Sequence, residues 1–351
     1  MKKKKIGLKD SIGIDIGESS IKIARLKVGG RATILQSYGF FPTPQGAVER
    51  GEVKNPELLE EALSECLRDA KIKKGKGVLG ISGKDVVVRI TELPMMAEEE
   101  LKDAVGWDLT QYISYSLNDA VYDYYVLGPK KTNGGERLRV LVAAAPLGLV
   151  NSYIRILSSL GINLIAIDIK PLALVRLFEA EKFQGRGIYV IVDIGAATTS
   201  IVIIKDGEFA FLRDVLLGGR DFTQAIVKGF NISLDEAEHI KKSIDSHPQK
   251  EKLYSVITPV MDEFVLEITR SLSYFRENIE NVQVFNRLFF TGGGVKLPGF
   301  LSYLESGIGI KTEILNPLSE IKYNTGNEGL FELKEFLGVA IGLAKRGLEG
   351  S

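Results

Sequence analysis

Cysteine is nearly absent from this chain, histidine is scarce, the formal net charge is zero and no long apolar run occurs. The single thiol, Cys66, excludes an internal disulfide framework and any cluster built from cysteines. The two histidines, His239 and His247, have no ligand spacing with each other or with nearby carboxylates, so both read as surface residues. Lys and Arg number 45 against 45 Asp and Glu, which removes bulk charge as a reason to bind nucleic acid or an anionic membrane. No segment approaches the roughly 18 to 20 apolar residues of a membrane-spanning helix. Met1-Lys-Lys-Lys-Lys5 is basic like the start of a signal peptide, yet Ile6-Gly-Leu-Lys-Asp10 supplies no apolar core behind it. The expectation is a soluble, cytoplasmic protein without an anchor of its own.

At 351 residues and 45% apolar composition the chain has material for two or more domains. It is organised around one turn used twice. Ile191-Val-Asp193-Ile-Gly195-Ala196-Ala-Thr198-Thr-Ser-Ile-Val-Ile-Ile204 sets two β-branched runs around a glycine, with a carboxylate before the bend and hydroxyls after it. Ser11-Ile-Gly-Ile-Asp15-Ile-Gly17-Glu-Ser19-Ser20-Ile-Lys22-Ile-Ala repeats that pattern near the start. Gly17 and Gly195 let backbone approach a ligand closely, so successive N–H groups can cradle an anion, and Ser20 and Thr198 add hydroxyl donors. Asp15 and Asp193 would repel a phosphate unless a Mg²⁺ stands between them and it. Lys22 lies far enough past Asp15 to return on the second strand as a point charge for a phosphate. One such turn is also an ordinary hairpin. Two copies suggest a pair of similar α/β halves clamping a ligand.

Further stretches fit the clamp. Leu288-Phe-Phe-Thr-Gly292-Gly293-Gly294-Val-Lys-Leu-Pro-Gly runs a buried-type strand into glycines whose bare backbone could form a shelf for adenine or ribose. Leu217-Gly218-Gly219 precedes one helical segment, and in the next Glu238 and Lys241 share a face. Cys66 sits among Leu63 and Leu67 in a helical stretch opened by Asn55-Pro56 and reads as a buried thiol. The helical stretch 262–280 reads as a core helix before the glycine-rich strand.

In this order, and over nearly the whole chain, these elements resemble the actin-like ATPase superfamily, which includes actin, the heat-shock chaperone ATPases and the division protein FtsA. The resemblance implies a duplicated, RNase H-like α/β fold that binds ATP or ADP with Mg²⁺. It makes Asp15 and Asp193 the metal-facing residues and Gly17, Ser19, Ser20 and Lys22 the first phosphate loop. Gly195, Ala196 and Thr198 become the second loop, with Gly218 and Gly219 beside it. Glu238 and Lys241 become ribose and adenine contacts, and Gly292, Gly293 and Gly294 the adenosine shelf.

Residues 86–166 lack the repeated grammar and read as a small inserted α/β module: strand 86–92, helix 97–113, strands 122–127 and 138–144 turning at Asn133-Gly134-Gly135, a helix from Leu149 to Leu160, and strand 164–169. FtsA-like chains carry such an insertion, and Trp107-Asp-Leu-Thr-Gln-Tyr112-Ile-Ser114 resembles the PilM branch, with Ser114 where a proline usually stands. Trp107 itself is expected to be a packing residue. The resemblance divides the chain into 1A (1–85 and 167–187), the insertion 1C (86–166), 2A (188–218 and 261–351) and 2B (219–260).

PilM-like proteins are scaffolds of type IV pilus assembly, bound by the short cytoplasmic tail of a PilN-like inner-membrane protein in a groove between 1A and 1C. The strand from Val86 through Val88 to Ile90 would lie at that junction, where its edge could accept an extended tail. Further pilus platform components and self-association stay open. FtsA-like chains tend to have Glu where this one has Lys170, so no water-positioning group is evident and hydrolysis is expected to be slow or absent. Alternatives are an FtsA-like division protein, against which the C-terminal stretch reads as a core helix rather than an amphipathic anchor, and a related secretion or competence scaffold. A sugar kinase would need a catalytic aspartate that is not evident, and a dehydratase activator would need cluster cysteines.

Overall fold

A computed structural model describes residues 8–30, 32–132, 135–178, 187–279, 284–324 and 328–349. Strands β1 (Asp10–Ile16), β2 (Ser20–Gly29) and β3 (Ala32–Pro42) form an antiparallel meander, and the short β4 (Val48–Glu49) and β5 (Glu52–Val53) pair beside it. Helix α1 (Pro56–Asp69) starts at Asn55, whose side chain accepts from the Leu58 N–H at 3.1 Å, with Pro56 pre-set for the first turn. Its buried stripe, Leu59, Ala62, Leu63, Cys66 and Leu67, covers the sheet, and β6 (Gly75–Ile81) returns parallel to β1. Cys66 is buried as expected, with its thiol pushed up to about 12 by loss of solvent.

The inserted module contains β7 (Val87–Pro94), α2 (Glu98–Leu109), β8 (Ala120–Thr132) and β9 (Gly135–Pro146). The three strands form their own antiparallel sheet, ordered β7-β9-β8, with Leu101, Val105 and Leu109 of α2 packed on Val140 and Val142. Asn133 and Gly134 of the expected turn lie outside the described residues. The chain then passes through α3 (Leu147–Ser159), β10 (Ile162–Ile169) and α4 (Lys170–Val175). Here the structure departs from the expected module, because β10 pairs parallel with β6, and Val150, Tyr153, Ile156 and Leu157 of α3 share the core of α1 and β1. Apolar periodicity on a helix does not say which sheet will cover it, so α3 carried no sign of its owner.

The second half repeats the first. It runs β11 (Ile188–Ile194), β12 (Thr199–Lys205), β13 (Glu208–Val215), α5 (Gly219–Phe230), α6 (Leu234–Lys242), α7 (Lys250–Tyr274), β14 (Arg287–Thr291), α8 (Phe300–Ile308) and β15 (Thr312–Ile314). Its sheet order, β15-β14-β11-β12-β13, copies β10-β6-β1-β2-β3 strand for strand. Helix α7 begins at Lys250, earlier than expected, runs through Pro259 and passes into a single π turn at Phe275–Ile279.

After β16 (Ile321–Lys322) and α9 (Glu328–Leu333), α10 (Gly338–Glu349) crosses back to the first half rather than staying with the second. There β16 extends the first sheet beside β3, and α10 lies on β1 so closely that a Cβ on Gly13 would collide with the Ala340 carbonyl. Among the described residues no helix is long and apolar enough to cross a membrane.

Candidate functional site

The two hairpin turns are closed by the same bond. The Gly17 N–H donates to the Ser20 carbonyl at 3.0 Å, and the Gly195 N–H to the Thr198 carbonyl at 2.9 Å. Each turn leaves the carboxyl end of a buried strand, the position from which α/β sheets present ligands. The first is braced by Thr43, which sequence reasoning missed: its hydroxyl donates to the Gly17 carbonyl at 2.7 Å and its N–H to the Ser19 carbonyl at 3.0 Å. The second is braced by α5, because the N–H groups of Gly219 and Arg220 donate to the Gly195 and Ala196 carbonyls at 2.9 and 2.8 Å. A Cβ on Gly218 would sit 2.6 Å from the Ala196 carbonyl oxygen. Gly218 and Gly219 therefore position the second turn.

Strand register makes Lys22 the cross-strand partner of Asp15, and the two form an ion pair of 3.1 Å at Asp15 Oδ2. The other oxygen, Oδ1, is met at 2.9 Å by Lys170, the first residue of α4. Lys170 reaches it across β6. Asp168, Gly80 and Asp15 are in register on the three parallel neighbours, and Gly80 has no side chain to block the lysine stem, whose Cγ would lie 3.0 Å from a Cβ there. Lys170 Nζ also donates to the Ile16 carbonyl at 2.5 Å. Burial alone would raise the Asp15 carboxyl, but Lys170 and Lys22 outweigh it and hold the group down at about 2.

Asp193, at the matching place in the second half, has the opposite character. Burial first, and then the charge of Asp15, push it up to about 6, with Lys22 and Lys170 opposing. Gly292 packs against it in the left-handed region, at φ 88°, where a Cβ would fall 2.5 Å from Asp193 Oδ1. A Cβ on Gly293 would meet the Phe336 ring at 2.6 Å, and one on Gly294 would collide with Ile194. The missing side chains of these glycines thus make room for the second hairpin and Phe336, rather than leaving an open shelf on those faces.

Glu238 and Lys241 do share a face, and that face looks back at the second turn. Lys241 Nζ donates to Glu238 Oε1 at 2.6 Å, to the Thr223 hydroxyl at 2.7 Å and to the Gly219 carbonyl at 3.0 Å. Burial pulls Lys241 below the usual lysine range, with Glu238 opposing. Burial likewise pushes Glu238 upward, but hydrogen bonds from Lys241 and Thr223 leave it below the usual carboxylate range.

A groove of about 210 Å³ lies at the junction of the first domain and the insertion, lined by Arg50, Glu52, Val53, Asp85, Val86, Pro146 and Leu149. The Ser114 hydroxyl donates to Oδ1 of Asp85, one of the groove residues, at 3.4 Å. The outer edge of β7 is a different matter. It faces β13 across a space of only about 100 Å³ lined by Val86, Val88, Leu212 and Asp214. Trp107 is not a packing residue. It is 76% exposed, because the buried stripe of α2 is Leu101, Val105 and Leu109.

Comparison with known proteins agrees with this architecture. The family of the type IV pilus assembly protein PilM matches residues 13–348. A chain of the PilM–PilN type IV pilus biogenesis complex superposes with a TM-score of 0.86 and 31% identity, over 97% of this chain and 99% of that one. The cell division protein FtsA of Bacillus subtilis (strain 168) is 20% identical over 363 residues, 90% of this chain and 81% of FtsA. MreB 5 of Spiroplasma citri bound to AMPPNP shares the fold at a TM-score of 0.51 and 13% identity, over 95% of this chain and 94% of that one. The expected actin-like fold and FtsA-like kinship are both borne out, and the chain belongs to the PilM family of type IV pilus assembly proteins.

Proposed function

We propose that this chain binds an adenine nucleotide between its two hairpin turns and, so held, docks the cytoplasmic N-terminal tail of a PilN-like membrane protein in the groove between 1A and 1C. The observation that carries the reading is the convergence of both halves on one point. The charge of Asp15 and its two lysines acts on Asp193 of the opposite half, and the two turns at that point share one hydrogen-bond pattern. A triphosphate suits this place: Gly17 and Gly195 bring backbone close, Lys22 and Lys170 supply positive charge, and Thr198 lies partly exposed on the second turn. Lys241 and Glu238, tied to the same turn through Gly219, are the polar pair this reading assigns to the nucleoside.

Mg²⁺ at Asp15 does not suit it. Both carboxylate oxygens already accept from ammonium groups at 2.9 and 3.1 Å, and a divalent ion there would stand against two positive charges. Asp193 alone is left to face a metal.

The tail reading rests on the family's complex with PilN and on the groove, whose Val53, Val86, Pro146 and Leu149 offer apolar contact beside Arg50, Glu52 and Asp85. Strand addition to β7 is set aside, since β13 packs directly against β7 and an added strand would need about 4.8 Å on either side. The test is calorimetric titration of the purified chain with ATP and with a synthetic PilN-like tail, comparing wild type with Asp193→Ala. Nucleotide and tail affinities that fall together support a nucleotide-held platform. Tail binding without any nucleotide affinity would make the hairpins an inherited frame.

A further inference from the structure

We propose that Lys170 and Lys22 act as the built-in counter-cation of the nucleotide's phosphates, so that ATP binds this chain without needing Mg²⁺. The inference rests on the nucleotide reading above and concerns how the charge of that ligand is met.

The geometry leaves the two ammonium groups ready for an anion. Lys170 spends one N–H on Asp15 Oδ1 and another on the Ile16 carbonyl, and Lys22 spends one on Asp15 Oδ2. An ammonium has three donors, so the pair retains donors beside the first turn. Their side chains are 16% and 14% exposed against 7% for Asp15, so the lysines, not the carboxylate, are the more accessible members of the cluster. Asp15 between two ammonium groups leaves one positive charge unmatched within that trio, beside the first turn, and Asp193 of the opposite half is the carboxylate that offsets it when ionised.

The placement is also built into the fold. Lys170 opens α4 at the end of β10, and its stem crosses β6 at Gly80, with Leu343 of α10 closing the same spot at 2.8 Å from where a Cβ would stand. The Ile16 carbonyl that it grips belongs to the residue before Gly17, so the lysine holds the root of the first turn while reaching Asp15.

The experiment is equilibrium binding of a fluorescent ATP analogue to wild type, Lys170→Gln and Lys170→Arg, each with Mg²⁺ and with excess EDTA, and with thermal melting to confirm that each variant is folded. The expected result is a wild-type Kd in EDTA within about threefold of that in Mg²⁺. Lys170→Gln should lose about tenfold or more in EDTA and recover part of the loss in Mg²⁺, while Lys170→Arg keeps the metal independence. Wild-type binding that collapses in EDTA overturns the inference and leaves nucleotide binding standing. Absence of binding in both conditions overturns the nucleotide reading itself, and this inference with it. A Lys170→Gln protein that melts normally and binds like wild type in EDTA also overturns it.

Discussion

Glu18 in the first hairpin turn and Arg220 in the first turn of α5 form an ion pair of 3.1 Å across the cleft between the two halves. Glu18 also accepts from the Arg50 N–H at 2.7 Å, and Arg50 lines the groove between the first domain and the insertion. One carboxylate therefore touches both the cleft between the hairpin turns and the edge of the groove between the first domain and the insertion. Neither residue is prominent in the sequence.

If this clasp helps to hold the halves together, Arg220→Ala should speed release of bound nucleotide a few-fold while leaving the fold intact. Arg220 is about half exposed, so its pair with Glu18 is worth less than about 1 kcal/mol. Stopped-flow displacement of a fluorescent nucleotide reads the effect directly. An unchanged off-rate would remove Arg220 from the clamp.

Gly80 is the gap through which Lys170 reaches Asp15. A Cβ there would press on Lys170 Cγ at 3.0 Å and on Leu343 Cδ1 at 2.8 Å, so Gly80→Ala should destabilise the protein by about 1–3 kcal/mol through overpacking. It should also weaken nucleotide binding, because the lysine is displaced. Denaturant melts and binding titrations together separate the two effects, and a variant as stable and as tight as wild type would show that the stem has room to spare.

The distribution of what could be read in advance follows sequence distance. The hairpin turns depend on residues a few positions apart, so turn chemistry announces them, and Lys22 reads as returning on the second strand, although its pairing with Asp15 does not. Lys170 grips a carbonyl 154 residues away, and that contact exists only because β10, β6 and β1 run parallel in one register. In the sequence its charge reads only as the absence of a water-positioning group, and the ion pair with Asp15 comes from the fold. The same holds for α3 and α10, whose apolar faces declare a buried helix but not the sheet that buries them. Trp107 misled for a different reason: residue type suggested packing, while the helical phase of Leu101, Val105 and Leu109 put it outside.

In the absence of ligand, Asp193 should be a source of instability near neutral pH. Its folded-state pKa of about 6 lies above the ordinary value of 3.8, so the folded state holds the proton more tightly than the unfolded one. That contribution is complete below about pH 4 and is lost as pH rises through about 6. Asp193→Asn should therefore be more stable than wild type above about pH 7, by about 1–2 kcal/mol after allowing for partial solvent contact, with the gap closing as pH falls towards about 4. Denaturant unfolding of both proteins across that range tests it. A gap that is constant with pH would mean the carboxyl is ordinary.

The proposed seating of a tail in the groove between the first domain and the insertion makes its own prediction. Leu149 stands on its wall, near the start of α3, and is only partly buried. Leu149→Asp should abolish binding of a PilN-like tail peptide at micromolar concentration while leaving nucleotide affinity unchanged. Val88→Asp, on the narrow side between β7 and β13, should not reduce tail binding unless it unfolds the insertion, which circular dichroism would reveal. Equal loss in both variants would return the tail to the β7 edge.

Hydrolysis provides the last test, because the chemistry at residue 170 bears on it. An attacking water needs a group that can accept a hydrogen bond from it, and a lysine ammonium has three donors and no acceptor. Lys170 is moreover committed to Asp15 and the Ile16 carbonyl. The chain should therefore release phosphate from ATP at under about one turnover per minute, far below the median enzyme rate of about 10 per second. Lys170→Glu restores an acceptor, but it also sets a second carboxylate against Asp15 and so should bind ATP more weakly. The informative comparison is single-turnover phosphate release from saturated complexes of wild type and Lys170→Gln, since glutamine offers an acceptor without the charge. A brisk wild-type rate would show that some other group positions the water. A slow wild type with a faster Lys170→Gln would place the block on catalysis at this one ammonium.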